Sequence, residues 1–149
     1  MRVSVKGRYG LEAMLCLAMH SSSGHVSLNR IAEISGISEN YLEQLFIVLR
    51  KKGIVKSIRG AQGGYQLMRG PSEISVGEIL RALEGPLVPV SCVLDGEGEK
   101  CSKYDLCATK NVWSAIGDEV GAAVDGVSLK DLIESCHNDC SNSSLEYFI

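Results

Sequence analysis

Between Ser27 and Lys51 the chain carries two short amphipathic segments separated by Gly36, and no other feature constrains its fold as strongly. Ser27 suits the N-cap of a helix that turns Leu28, Ile31, Ala32 and Ile34 inward. Gly36 breaks that helix. Ser38 then caps another, from Glu39 to Lys51, with Leu42, Leu45, Phe46 and Leu49 inward. Two short helices across a tight glycine turn read as a helix-turn-helix. Ahead of them, Tyr9 to Ser22 sets Leu11, Met14, Leu15 and Ala18 at helical spacing, with Cys16 as a plain core thiol. Behind them, Ile54–Ile58 reads as a strand, Arg59–Gly64 as a loop and Tyr65–Leu67 as a return strand. A hairpin with a basic tip in that position has the layout of a wing.

Charge divides along the same line. Residues 1–70 hold ten Lys/Arg against four acids, a net +6, while residues 71–149 hold five against fourteen, a net −9. The front half suits a polyanion and the rear half a different task. A chain of 149 residues has room for one domain with a small appendage. Its opening residues lack a signal peptide's apolar run and cleavage site, and no stretch is long enough to span a membrane. The expected location is therefore cytoplasmic, where clustered cysteines bind metal or sense redox state more often than they form disulfides.

In the rear half, Ser75 and Glu78 predict a capping box for a helix to Glu84, stopped by Gly85 and Pro86. Cys92, Cys101 and Cys107 crowd a polar, glycine-containing loop where packing gives no reason for three thiols. A helix is predicted from Asp105 to Val124, with Val112, Trp113, Ile116, Val120 and Ala123 on one side and small residues (Ala115, Gly117, Gly121, Ala122) elsewhere. About 20 residues of helix span about 30 Å, which suits a dimerisation helix. A short last helix, Leu129 to Glu134, and a polar tail complete the chain.

The opening Met1-Arg2-Val3-Ser4-Val5-Lys6-Gly7-Arg8-Tyr9-Gly10, the stretch Ser38-Glu39-Asn40-Tyr41-Leu42-Glu43-Gln44-Leu45, the wing Val55–Gly60 through Gly63-Gly64-Tyr65, and Leu83-Glu84-Gly85-Pro86 resemble the Rrf-two family of regulators. The resemblance covers nearly the whole chain. It implies a homodimeric winged helix-turn-helix transcription factor, a repressor on double-stranded DNA with a pseudo-palindromic operator. It implies a mainly α fold with a β wing: a DNA-binding domain over 1–85, a cysteine loop over 86–107, a dimerisation helix and short last helix over 105–135, and a tail over 136–149. The cysteine trio marks the iron–sulfur, IscR-like branch, which carries a 2Fe–2S cluster or, in some members, 4Fe–4S; the former is the expectation. CymR-like members lack the trio.

Two positions depart from the family pattern. Lys110 stands where IscR-like members place a His ligand, and Arg8 stands where NsrR-like members place an Asp. The fourth ligand expected is Glu12 of the partner subunit, else Asp105. Cys136 and Cys140 are softer donors, but they lie in the tail and read as exposed thiols. Zinc in the same site and a cluster-free thiol sensor are the competing readings, although the cysteine spacing fits zinc ribbons poorly.

The expected DNA contacts follow from chemistry. Lys6, Arg8, Arg50, Lys51, Lys52 and Lys56 suit phosphates. Gln44 suits adenine, Ser38 and Tyr41 can reach bases or phosphates, and Glu43 would penalise unsuitable sites. Arg59 at the wing tip suits a narrow minor groove, with Tyr9 and Gly60 completing the set. No Cys–His pair, phosphate loop or paired carboxylates point to an enzyme, and His20, His25 and His137 read as ordinary polar residues. Glu146-Tyr147-Phe148-Ile149 resembles the tail of CymR-like regulators, which associate with cysteine synthase, so that enzyme is a possible partner.

Overall fold

The computed structural model describes residues 2–94 and 101–146. The charged stretch between the first two loop cysteines and the last three tail residues fall outside the described residues. The helices are α1 (Val5–Met19), α2 (Leu28–Ser35), α3 (Glu39–Lys51), α4 (Val76–Glu84), α5 (Lys110–Asp125) and α6 (Leu129–Glu146). The strands β1 (Val55–Ile58) and β2 (Gly64–Leu67) pair antiparallel, Val55 opposite Leu67 and Ile58 opposite Gly64. The described chain is mainly α with a small β wing, as expected.

The local signals in the first half act as read. Ser27 Oγ accepts from the Arg30 N–H at 3.2 Å and Ser38 Oγ from the Tyr41 N–H at 3.4 Å, and Gly36 closes α2 in the left-handed region (φ 71°). Met14, Leu17, Ile31, Leu42, Leu45, Phe46, Leu49, Ile54 and Ile79 are fully buried in one core. Leu129 of α6 is fully buried in it as well. Ile34, expected inward, is exposed instead, because one face of a two-turn helix has room for fewer apolar residues than α2 carries.

Four boundaries and contacts differ from the reading. First, α1 starts at Val5, before Tyr9. Second, the capping box at α4 is half formed: Ser75 Oγ accepts from the Glu78 N–H at 3.1 Å, but the Glu78 carboxylate turns away to Arg69. Third, α5 begins at Lys110, because Tyr104–Leu106 forms a separate 3-10 turn and Cys107 is extended (φ −77°, ψ 110°). Its 16 residues span about 24 Å. Fourth, α6 runs to Glu146 and is the longest helix described, at 18 residues. Ser128 and Asp131 cap it reciprocally: the Ser128 N–H donates to Asp131 Oδ2 at 2.8 Å, and the Asp131 N–H to Ser128 Oγ at 3.2 Å. No Gly or Pro interrupts residues 129–146. Polarity alone does not end a helix; a breaker does.

The stripe expected on α5 divides. Val112 and Ile116 are 54% and 39% exposed, beside exposed Ala115, Ala122 and Ala123. Val120 and Val124 pack on Val76, Leu80 and Leu87 of the same chain. Gly117 and Gly121 also face inward, where an added Cβ would come within 3.3 Å of Val88 and 3.2 Å of Arg81. Those two small residues thus serve contacts within the subunit. Arg81 grips Asp125 with two bonds of 2.6 and 2.9 Å, fastening α4 to the end of α5. No described helix is long and apolar enough to cross a membrane.

Candidate nucleic-acid interface and cysteine segment

Two of the stretches expected to touch DNA, the start of α1 and the start of α3, lie against each other. Tyr9 and Tyr41 meet edge to face with ring centroids 6.0 Å apart, and the Arg8 guanidinium stands 5.9 Å from the Tyr9 ring. Lys6, Arg8, Ser38, Glu43, Gln44, Arg50 and Lys51 are exposed, while Tyr9 and Tyr41 are half-buried. A carboxylate belongs to this neighbourhood too. Glu12 lines a 430 Å³ recess with Val5, Tyr9, Ser38 and Tyr41. Lys52, by contrast, lines a separate 640 Å³ recess with Arg81, Leu94 and Tyr104, beside the cysteine segment.

The wing is a third patch, and its two paired strands are anchored to the helices by further contacts. Val26 and Tyr65 exchange two backbone hydrogen bonds of 2.9 Å, tying the segment before α2 to β2 as an isolated antiparallel bridge. Tyr65 stacks on Phe46 of α3 at 4.7 Å. The tip carries Arg59 and Gly60, both exposed, and Lys56 is exposed on β1. Near the tip, His25 Nε2 donates to the Gln62 carbonyl at 2.6 Å. Nothing in the sequence marks His25 for this task, because a long-range bond to a backbone oxygen leaves no local pattern.

The segment between α4 and α5 carries the thiols. Cys92 sits half-buried in a 3-10 turn (Ser91–Val93), Cys101 is exposed, and Cys107 is half-buried just before α5. Cys107 Sγ lies 3.3 Å from Thr109 Oγ1. That hydroxyl, then the Thr109 and Lys110 amides and the Lys110 charge, draw its thiol below the usual range. Lys110, at the position of the family's histidine, holds its ammonium 4.7 Å above the Tyr104 ring. Asp105 is exposed. Among the described residues no three His, Cys, Asp or Glu side chains converge as a metal-ready group. The donor chemistry nevertheless suits a soft metal cofactor: three thiols in one short segment, one of them biased toward the thiolate. Cys136 and Cys140 fall one helical turn apart on α6, the first half-buried and the second exposed.

Cys16 is the opposite case. It is buried in α1, and burial foremost pushes its thiol up. Iodoacetamide at near-neutral pH is therefore expected to modify Cys107 well before Cys16 in the folded, metal-free protein. Mass spectrometry of timed samples would show it, and equal rates would contradict the environments described.

Residues 3–135 match the Rrf2 family, described as iron-dependent transcriptional regulators. The chain belongs to the Rrf2 family. It is 45% identical to the HTH-type transcriptional regulator CymR of Bacillus subtilis (strain 168), over 89% of each chain. It is 40% identical to the HTH-type transcriptional regulator IscR of Serratia proteamaculans (strain 568), over 91% of this chain and 80% of that one. Among solved structures, the global cysteine regulator CymR of B. subtilis superposes with a TM-score of 0.73, covering 91% of this chain and 98% of that one at 42% identity. The IscR of T. potens superposes at 0.71, covering 91% and 88% at 44% identity. The protein is thus a DNA-binding transcriptional regulator of the Rrf2 family, related to both the IscR and the CymR proteins, and its relatives are regulators rather than enzymes.

Proposed function

We propose that this Rrf2 regulator is a homodimeric repressor whose operator affinity is set by an iron–sulfur cluster held by Cys92, Cys101 and Cys107. One observation carries the reading. The three thiols occupy the short segment joining α4, which packs on both α1 and α3, to α5. Residues 1–85 would read the operator, 86–107 hold the cofactor, and α5 with the start of α6 join the subunits through Val112, Ile116 and the alanines beside them. Helix α3 would lie in the major groove, with Gln44 on base edges and Glu43 rejecting unsuitable sites. Lys6, Arg8, Arg50, Lys51 and Lys56 would meet phosphates, and Arg59 with Gly60 the minor groove.

A cluster, when bound, supplies thiolate–iron bonds that respond to oxidants, nitric oxide and iron supply. The form proposed is 2Fe–2S rather than 4Fe–4S. Glu12 of the partner subunit, else Asp105, would complete the donor set. Glu12 lines the recess beside Tyr9 and Tyr41, so a bond made there in trans would reach the base of the reading head. The state of the cysteine segment would then bias the spacing of the two recognition helices, which sets the half-site spacing a dimer can read.

A second reading is kept because of the 45% identity to CymR. In it the thiols act without a cluster, and the tail from Glu146 to Ile149 inserts into cysteine synthase. Anaerobic purification followed by iron, sulfide and visible absorption measurements separates the two. Under the first reading the protein is coloured, Cys92→Ala abolishes the absorption, and operator affinity differs between loaded and stripped protein. Colourless, iron-free protein that ignores reconstitution would favour the second.

A further inference from the structure

Helix α1 has no acidic residue in its first turn, and Ser4, at its N-cap, makes no side-chain cap bond to it. Its free amides are met from a distance. Glu84, the last residue of α4, accepts three hydrogen bonds at Oε1: from the Ser4 N–H at 3.0 Å, the Ser4 hydroxyl at 2.5 Å and the Gly7 N–H at 2.8 Å. A carboxylate there also complements the positive end of the helix dipole. The same contacts, the Ser4 hydroxyl foremost, hold the Glu84 carboxyl below its usual range.

The seat is built on both sides. A Cβ at Gly7 would lie 2.3 Å from Glu84 Oε1, and one at Gly10 would lie 2.0 Å from Leu83 Cδ1. Two glycines on one face of α1 thus admit two consecutive residues of α4. Lys6 and Arg8 flank Gly7 and are exposed.

We infer that Glu84 is a positioning residue for DNA binding: it fixes the first turn of α1 and so sets where Lys6 and Arg8 meet the phosphate backbone. The inference rests on the reading of those two cations as phosphate contacts. It opposes what simple charge predicts. Removing an acid beside two cations would strengthen attraction to DNA, whereas losing the clamp weakens it.

Operator affinity measured against salt concentration, on the full-length protein, separates the possibilities. Glu84→Ala is expected to bind about tenfold more weakly, with a log–log salt slope smaller by about 1 to 2, the share of one or two phosphate contacts. Glu84→Gln keeps an acceptor oxygen and should fall between wild type and alanine. Gly7→Ala retains the acid but displaces it, and is expected to reproduce the Glu84→Ala slope despite alanine's better helix propensity. Partial unfolding lowers the active fraction without changing the slope, so the readout is specific to the clamp. In a Lys6→Ala/Arg8→Ala background, Glu84→Ala should add nothing. Tighter binding by Glu84→Ala, or an unchanged slope while the double variant binds weakly, overturns the role of Glu84. Wild-type binding and slope in the Lys6→Ala/Arg8→Ala protein overturns the phosphate reading instead, and the inference with it.

Discussion

Replacing Phe46 by alanine is expected to cost about 4 kcal/mol of folding stability. The ring is fully buried at the centre of α3 and stacks on Tyr65 of the wing at 4.7 Å. Its removal leaves a cavity between helix and hairpin that neither backbone can close, and forfeits an aromatic pair worth about 1 kcal/mol. Domains of this size are stable by only about 5–15 kcal/mol, so the loss is a large share of the total. Urea denaturation monitored by circular dichroism would measure it, with Ile34→Ala as the control. Ile34 is 41% exposed, and its truncation should stay within about 0.5 kcal/mol. Comparable costs for the two variants would mean that the core is not centred on α3.

Gly64→Ala should be nearly as damaging, by a different route. A Cβ at position 64 would stand 2.2 Å from the Val26 carbonyl oxygen and 2.5 Å from its carbon. Both neighbours are main chain, so no side-chain rotation relieves the clash. The segment before α2 must move off β2, breaking the two Val26–Tyr65 hydrogen bonds. Each such bond is worth about 1 kcal/mol, and the strain adds a similar amount, so about 3 kcal/mol is expected. Hydrogen exchange at the Val26 and Tyr65 amides would report the local loss. Operator affinity should fall with it, because Arg59 sits on the hairpin being released. Undisturbed protection of those two amides would show that the Val26–Tyr65 bridge is not held in the way described.

The helix-turn-helix is legible because its signals are local. Ser27, Gly36 and Ser38 each act within four residues of themselves, and the inward positions of α3 recur at a strict helical interval. The start of α1 is not legible, because its cap is Glu84, 80 positions away in sequence. The length of α6 was hidden by composition: a run of Cys, Ser, Asn and Asp looks like a tail, yet nothing in it halts a helix whose N-terminus is well capped. The exposed positions of the front-half cations and of Gln44 on α3 follow from pattern alone. The bond from His25 to the wing and the placing of Lys52 in a recess beside Arg81 could not, since both depend on how separate elements pack.

Leu129 lies in the same core as Met14, Leu42 and Phe46, although it follows α5 in sequence. The strand-like exchange beside it, Val76 N–H to the Val127 carbonyl at 2.8 Å and Leu129 N–H to the Ile74 carbonyl at 3.0 Å, stitches the two halves together. Excising the reading head from the remainder would therefore open a hole at its centre. The two halves are therefore expected to melt as a single cooperative unit, so that what loosens one registers in the other.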